Sequence, residues 1–145
     1  METEESPRSP YIEPIQVRWG DMDSMGHVNN AHYFTYCESA RMGYFQAVRM
    51  ADHFAAGRFG PALAAAQLNF RRQVRWPGAI EVETRVVAIG RSSFTMAYTL
   101  IRVEDRATVA DGSGVIVWVD YSTGRPTPLP DGLRESIRRF EGMEA

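Results

Sequence analysis

The chain has 145 residues, 44% of them apolar and 23% charged, a composition that suits one folded domain with a real core. Its formal net charge of −2 argues against a general nucleic-acid or membrane-surface binder. All 16 basic residues are arginine and Cys37 is the only cysteine, which excludes a lysine Schiff base, a phosphate-loop lysine, an internal disulfide and a cysteine-pair zinc site.

Residues 1–13 are acidic and carry Pro7 and Pro10, so they read as a flexible tail, with a single domain over 14–145. The start lacks the basic and apolar runs of a signal peptide, and no apolar run reaches membrane-spanning length. A cytoplasmic protein is expected. Ile15 to Trp19 reads as a short strand with Ile15, Val17 and Trp19 on one face.

The stretch Val17 to Phe45 then organises the chain. Asp21, Asp23, His27, Asn29 and Asn30 share a ten-residue window directly before an apolar helix. Gly26 eases the turn, and Asn29 or Asn30 caps the helix. A helix N-terminus offers unbonded N–H groups. Beside a carboxylate, these can polarise a carbonyl oxygen while the carboxylate attacks the carbon or directs water at it.

The helix is predicted from Ala31 to near Met50. Tyr33, Tyr36, Cys37, Ala40, Tyr44, Ala47 and Val48 form its apolar stripe. Phe34 and Phe45 widen that stripe, so the helix should be wrapped on most sides. Gly43 costs about 1 kcal/mol of helix propensity and predicts a close approach of sheet backbone. Glu38 and Arg41, spaced i,i+3, read as a pair on the helix surface.

Ala51 to Pro61 reads as a connection. Period-two alternation follows through Leu68–Val74, Ile80–Val86, Phe94–Leu100 and Val109–Tyr121, with Val115, Val117 and Val119 on one face. Trp76-Pro77-Gly78 and Gly90-Arg91-Ser92 mark turns between these runs. Arg71, Arg72 and Arg75 read as a solvated strand face. Gly112-Ser113-Gly114 lacks the spacing of a nucleophile elbow and lies within a strand pattern. A short polar helix is predicted over Asp131–Glu141. The class is α+β: a curved antiparallel meander wrapped around one long central helix, plus a short C-terminal helix.

W-G-D-x-D-x-x-G-H-V-N-N-x-x-Y, followed by Glu38-x-x-Arg41, resembles the signature of hotdog-fold acyl-CoA thioesterases of the 4-hydroxybenzoyl-CoA thioesterase superfamily. The likeness extends from about Ile15 to about Tyr121. It implies the hotdog fold and hydrolysis of an acyl-CoA, with coenzyme A as part of the substrate and no separate cofactor or metal. Acyl-ACP hydrolysis, a hotdog hydratase or dehydratase, and a non-catalytic thioester-binding protein are the alternatives. The resemblance also implies a homodimer or homotetramer with active sites at the dimer interface.

By the same resemblance Asp23 matches the catalytic aspartate, as nucleophile or general base. A backbone N–H at the first helical turn, at Asn30, bonds the thioester oxygen. Gly26, Asn29 and Tyr33, in the same motif, are expected in substrate binding. Related enzymes with an aspartate–asparagine–histidine set read D-x-N-x-H, and here Met25 stands at the middle position. His27 is therefore open as a general base or a loop-holding histidine. Some relatives use a helix glutamate, which makes Glu38 a second catalytic candidate. The turn Arg91-Ser92-Ser93 matches one that contacts coenzyme A phosphates or its pantetheine arm. Arginine forks suit such oxygens.

Overall fold

The computed structural model describes residues 9–143. Residues 1–8 and 144–145, and with them most of the expected tail, lie outside the described residues. Six strands form one antiparallel sheet: β1 (Tyr11–Gln16), β2 (Phe59–Phe70), β3 (Ala79–Ile89), β4 (Ser93–Arg102), β5 (Thr108–Asp120) and β6 (Arg125–Pro126). The order is β1-β3-β4-β5-β2, with the short β6 also on β5. The sheet curls around α1 (Asn30–Ala47), and α2 (Asp131–Glu141) closes the turn side. Rings join α1 to three different strands: Tyr44 meets Tyr11 of β1, Tyr33 meets Phe70 of β2, and Phe45 meets Phe94 of β4.

Alternation dictates the core. Ile80, Val82 and Val86 of β3, Phe94, Met96, Tyr98 and Leu100 of β4, and Ile116 and Trp118 of β5 are all buried against the helix side. Val115, Val117 and Val119 share a face as expected, but it is the outer, half-buried one.

The expected meander holds only for β3-β4-β5. β2 pairs with β5, Phe59 opposite Asp120 and Phe70 opposite Ala110, and so forms the far edge. Residues 71–78 carry the chain from that edge across the sheet's end to β3. An eight-residue segment reaches up to ~26 Å, enough to cross three strand spacings of ~4.8 Å.

Three boundaries also shift. β1 begins at Tyr11, not Ile15, and Trp19 opens a short 3-10 turn with its side chain largely exposed. The chain leaves the sheet there because the Arg18 N–H bonds the Asp21 carboxylate instead of a strand. β2 starts at Phe59, inside the expected connection, and ends at Phe70, because the Arg71 and Arg72 N–H groups converge on one acceptor, the Val109 carbonyl.

The helix is not wrapped on every side. Phe34, Glu38, Met42 and Gln46, at i+4 steps, and also Ala47, remain exposed. Gly43 is approached by the Tyr11 hydroxyl and Glu13 carboxylate of β1, not by backbone. Cys37 is core, and burial pushes its thiol up to about 12. At the end of α2, the Glu141 carboxylate accepts from the Tyr44 hydroxyl and the Val86 N–H, both at 3.2 Å.

Candidate active site

At the end of the sheet where β2 stops and β3 starts, the chain makes a tight reverse turn from Met22 to Val28, which bridge each other. The Asp23 N–H bonds the His27 carbonyl at 2.8 Å, and the Gly26 N–H bonds the Asp23 carbonyl at 3.1 Å. Closing this turn needs a positive φ at Gly26, +79°. Asp23 Oδ1 accepts the Met25 N–H at 2.8 Å, while Oδ2 has no donor among the described residues. The carboxylate is exposed and held by its own turn.

Asn29 is the N-cap of α1, its side chain accepting the Ala31 N–H at 2.9 Å. The Asn29 N–H is taken by the Asp21 carbonyl. The Asn30 N–H, first in the helix, has no acceptor among the described residues. It is a donor at the positive end of the helix dipole.

Asp21 ties this loop to the fold. It is 1% exposed. Its carboxylate accepts from the Arg18 N–H and guanidinium and from the Tyr36 hydroxyl at 2.7 Å, with His32 Nδ1 at 3.6 Å. Burial pushes its pKa up, but the Arg18 N–H, the Tyr36 hydroxyl and the Arg18 charge outweigh that and hold it below the ordinary 3.8. A carboxyl depressed in the folded state adds stability above its unfolded pKa and loses it as pH falls through the folded value. Asp21→Asn should therefore lower Tm at pH 7, and the gap from wild type should narrow as the pH falls below about 4. A gap that is constant from pH 7 to pH 2, by calorimetry, would show that the charge contributes nothing.

Asp23, His27, Asn30 and Tyr33 line one open groove of ≈ 440 Å³, together with Met25, Val28 and residues 70–73. His27 Nε2 lies 3.0 Å from an Arg75 guanidinium nitrogen. Arginine can only donate, so Nε2 is the acceptor and the neutral ring carries its proton on Nδ1. The Tyr33 hydroxyl bonds the Arg72 carbonyl at 3.3 Å and so shapes the groove wall.

Other expected members stand apart. Glu38 is exposed about 12 Å further along the helix by its eight-residue rise and is not on the groove lining. It does not pair with Arg41, which is buried and reaches the Tyr98 hydroxyl at 3.4 Å. Gly26 and Asn29 shape the turn and cap the helix without lining the groove. Arg91-Ser92-Ser93 lies at the opposite end of β4 from Arg102, roughly 30 Å along the strand. Successive hairpin turns alternate between sheet ends, so one chain cannot bring this turn to Asp23. Conversely, Phe70, Arg71, Arg72 and Gln73, whose alternation predicts an ordinary strand, belong to the groove wall. The available signal was three arginines within five residues, directly before the Trp76-Pro77-Gly78 turn.

The profile of the thioesterase-like superfamily matches residues 17–137, which takes in this loop, the helix and the whole sheet from β2 onward. The chain belongs to that family. The hotdog fold and the thioester-hydrolase class implied by the sequence stand with it. A thioesterase from Thermus thermophilus, solved with coenzyme A and zinc, is 36% identical, with 94% of this chain and 98% of that one covered and a TM-score of 0.81. Long-chain acyl-CoA thioesterase FadM of Escherichia coli is 22% identical over 87% of this chain and 96% of its own length. The chloroplastic acyl-acyl carrier protein thioesterase ATL3 of Arabidopsis thaliana is 26% identical over 87% of this chain and 66% of its own. Within this family member's described residues, no three His, Cys, Asp or Glu side chains gather in a way that could hold a metal ion. No described helix is long and apolar enough to cross a membrane.

Proposed function

We propose that the chain hydrolyses an acyl-CoA to a free carboxylic acid and coenzyme A, in the cytoplasm and with no separate cofactor. One observation carries the reading. Asp23, with one carboxylate oxygen unengaged among the described residues, and Asn30, whose N–H has no acceptor among them, line the same groove. The N–H holds the thioester oxygen as it gains charge. Asp23 attacks the carbon and expels the thiolate, and water then hydrolyses the mixed anhydride. Alternatively, Asp23 takes a proton from water as that water attacks. Either route consumes one water and releases one thiol and one acid. The test is thiol release from acyl-CoAs of several chain lengths, with acyl-ACP as a parallel arm because of the ATL3 likeness. Release from acyl-ACP alone would move the substrate to the carrier protein. Binding without release would favour a sensor, and water addition to an enoyl thioester would favour a hydratase.

The working unit in this reading is a homodimer, alone or paired into a tetramer. Among the described residues β2 leaves a twelve-residue unpaired edge. Leu63 at 47% and Phe70 at 42% exposed lie on it, beside Phe34 and Met42 of the uncovered helix face. Such an edge is an aggregation hazard unless a partner covers it. Antiparallel pairing of two β2 edges would set the loop end of one sheet against the turn end of the other. That would carry the Arg91 turn of one copy toward the Asp23 groove of its partner. Light scattering at micromolar concentration should give at least a dimer mass, and an active monomer would end this part of the proposal.

A further inference from the structure

Residues 71–75 follow β2 without regular structure, yet their carbonyls are clamped. The Tyr33 hydroxyl holds the Arg72 carbonyl, Arg102 holds that of Gln73 at 2.7 Å, and the Val28 N–H holds that of Val74 at 2.8 Å. Val74 is buried as an anchor. The segment is thus a rigid shelf, and it presents three guanidinium groups. Arg71 is neutralised by Asp111. Arg72 has no side-chain partner among the described residues, and Arg75 touches only the uncharged acceptor of His27. Both are exposed, and neither meets a carboxylate among the described residues.

Behind the shelf lies a second groove of ≈ 480 Å³, lined by Arg72, Gln73, Arg75, Gly78, Arg102 and Glu104 among others. Glu104 is the one carboxylate on that lining, against three arginines, of which Arg102 is already paired with Asp105. The volume lies within the range of small-molecule sites. Arg72 lines this groove and the Asp23 groove alike. A ligand running through both would have its reactive end at Asp23 and an anionic end at Arg75.

We propose that Arg72 and Arg75 form a phosphate-binding subsite for the nucleotide end of the thioester substrate, on the same chain as Asp23. Planar guanidinium forks match phosphate oxygens in pairs, and two unneutralised ones on a clamped backbone need little reordering to bind. This inference rests on the acyl-CoA reading and names the chemistry that would separate a nucleotide-bearing substrate from a bare pantetheine thioester. It also gives the phosphates a place other than the Arg91 turn.

The experiment compares wild type, Arg72→Gln, and the double variant Arg72→Gln with Arg75→Gln. Each acts on an acyl-CoA and on the N-acetylcysteamine thioester of the same acid, which has no phosphate. The double variant should raise KM for the acyl-CoA at least ~10-fold with kcat little changed, because a phosphate contact is made equally in the ground and transition states. KM for the N-acetylcysteamine thioester should rise far less than KM for the acyl-CoA, and that difference separates a lost phosphate contact from disturbance of the groove wall or of His27. Inhibition by adenosine 3′,5′-bisphosphate should weaken in parallel. An unchanged KM, an equal rise for both thioesters, or a KM effect carried wholly by Arg91→Ala would overturn the proposal. If no thioester is hydrolysed, the functional reading fails by itself. Calorimetry with the bisphosphate alone then decides: binding lost in the double variant upholds the subsite, and no binding by wild type removes it.

Discussion

Asp23→Asn should lower kcat for thioester hydrolysis at least ~100-fold, the scale of a lost general base or nucleophile. The substitution keeps the size of the side chain and an oxygen to accept the Met25 N–H, so the turn that holds it survives. What disappears is a carboxylate able to attack or deprotonate. Stability should change little, since the side chain is exposed and its only described bond lies within its own turn. KM should change less than kcat, because the Asn30 N–H and the groove walls remain in place. Thiol release at saturating substrate measures the effect, with circular dichroism and light scattering as controls for fold and assembly. A folded variant of near-normal kcat would remove Asp23 from the chemistry and turn attention to His27, which shares its groove.

Gly112→Ala should be the most damaging single methyl group in the sheet. A Cβ there would collide with the Gln67 carbonyl and crowd the Leu68 Cα, both backbone atoms of β2. Backbone in a paired strand cannot rotate aside as a side chain can. The cost should lie near the top of the usual overpacking range, roughly 3 kcal/mol, or a Tm drop of about 10 °C for a chain of this length. Ser113→Ala, one residue away and on the opposite face, should stay within about 0.5 kcal/mol. Since the displaced strand is the uncovered edge, the glycine variant should also change assembly if that edge joins two copies. Thermal unfolding and light scattering on both variants check this, and equal Tm values would mean that β2 moves away freely.

Much of this was legible before any coordinates. Alternation located β3, β4 and β5, because a strand buried on one face writes its burial in period two. The Asp21–Asn30 window announced a helix start beside carboxylates, and Asn29 is indeed the cap. The neighbours of β2 were not legible. Alternation tells which residues face inward but not which strand lies alongside, and Ala62 to Ala66 carried too little contrast to reveal their strand. Arg71–Arg75 continued an alternating pattern by chance, which hid the place where the ladder ends. Glu38 fitted a surface pair by spacing alone. Its supposed partner Arg41 instead turns inward to the Tyr98 hydroxyl, and a helical pattern read in isolation cannot show that. Asp21 and Tyr36, fifteen residues apart, meet only because the 3-10 turn folds the carboxylate back over α1.

The missing side chain at Gly43 acts as a notch. β1 is an edge strand that contains Pro14 and, among the described residues, pairs only with β3. A slip of two residues along β3 would keep the same faces in and out, so hydrophobic burial alone chooses poorly between the registers. In the observed register the Tyr11 hydroxyl, bonded to Glu13 at 2.7 Å, fits the space over Gly43. After a two-residue slip, Ser9 or Glu13 would stand in the place of Tyr11 and leave the notch unfilled or misfilled. The helix gives up about 1 kcal/mol of propensity at that glycine. In exchange the first strand has a lock that accepts one alignment, and the chain ahead of the Asp23 loop enters the sheet in phase.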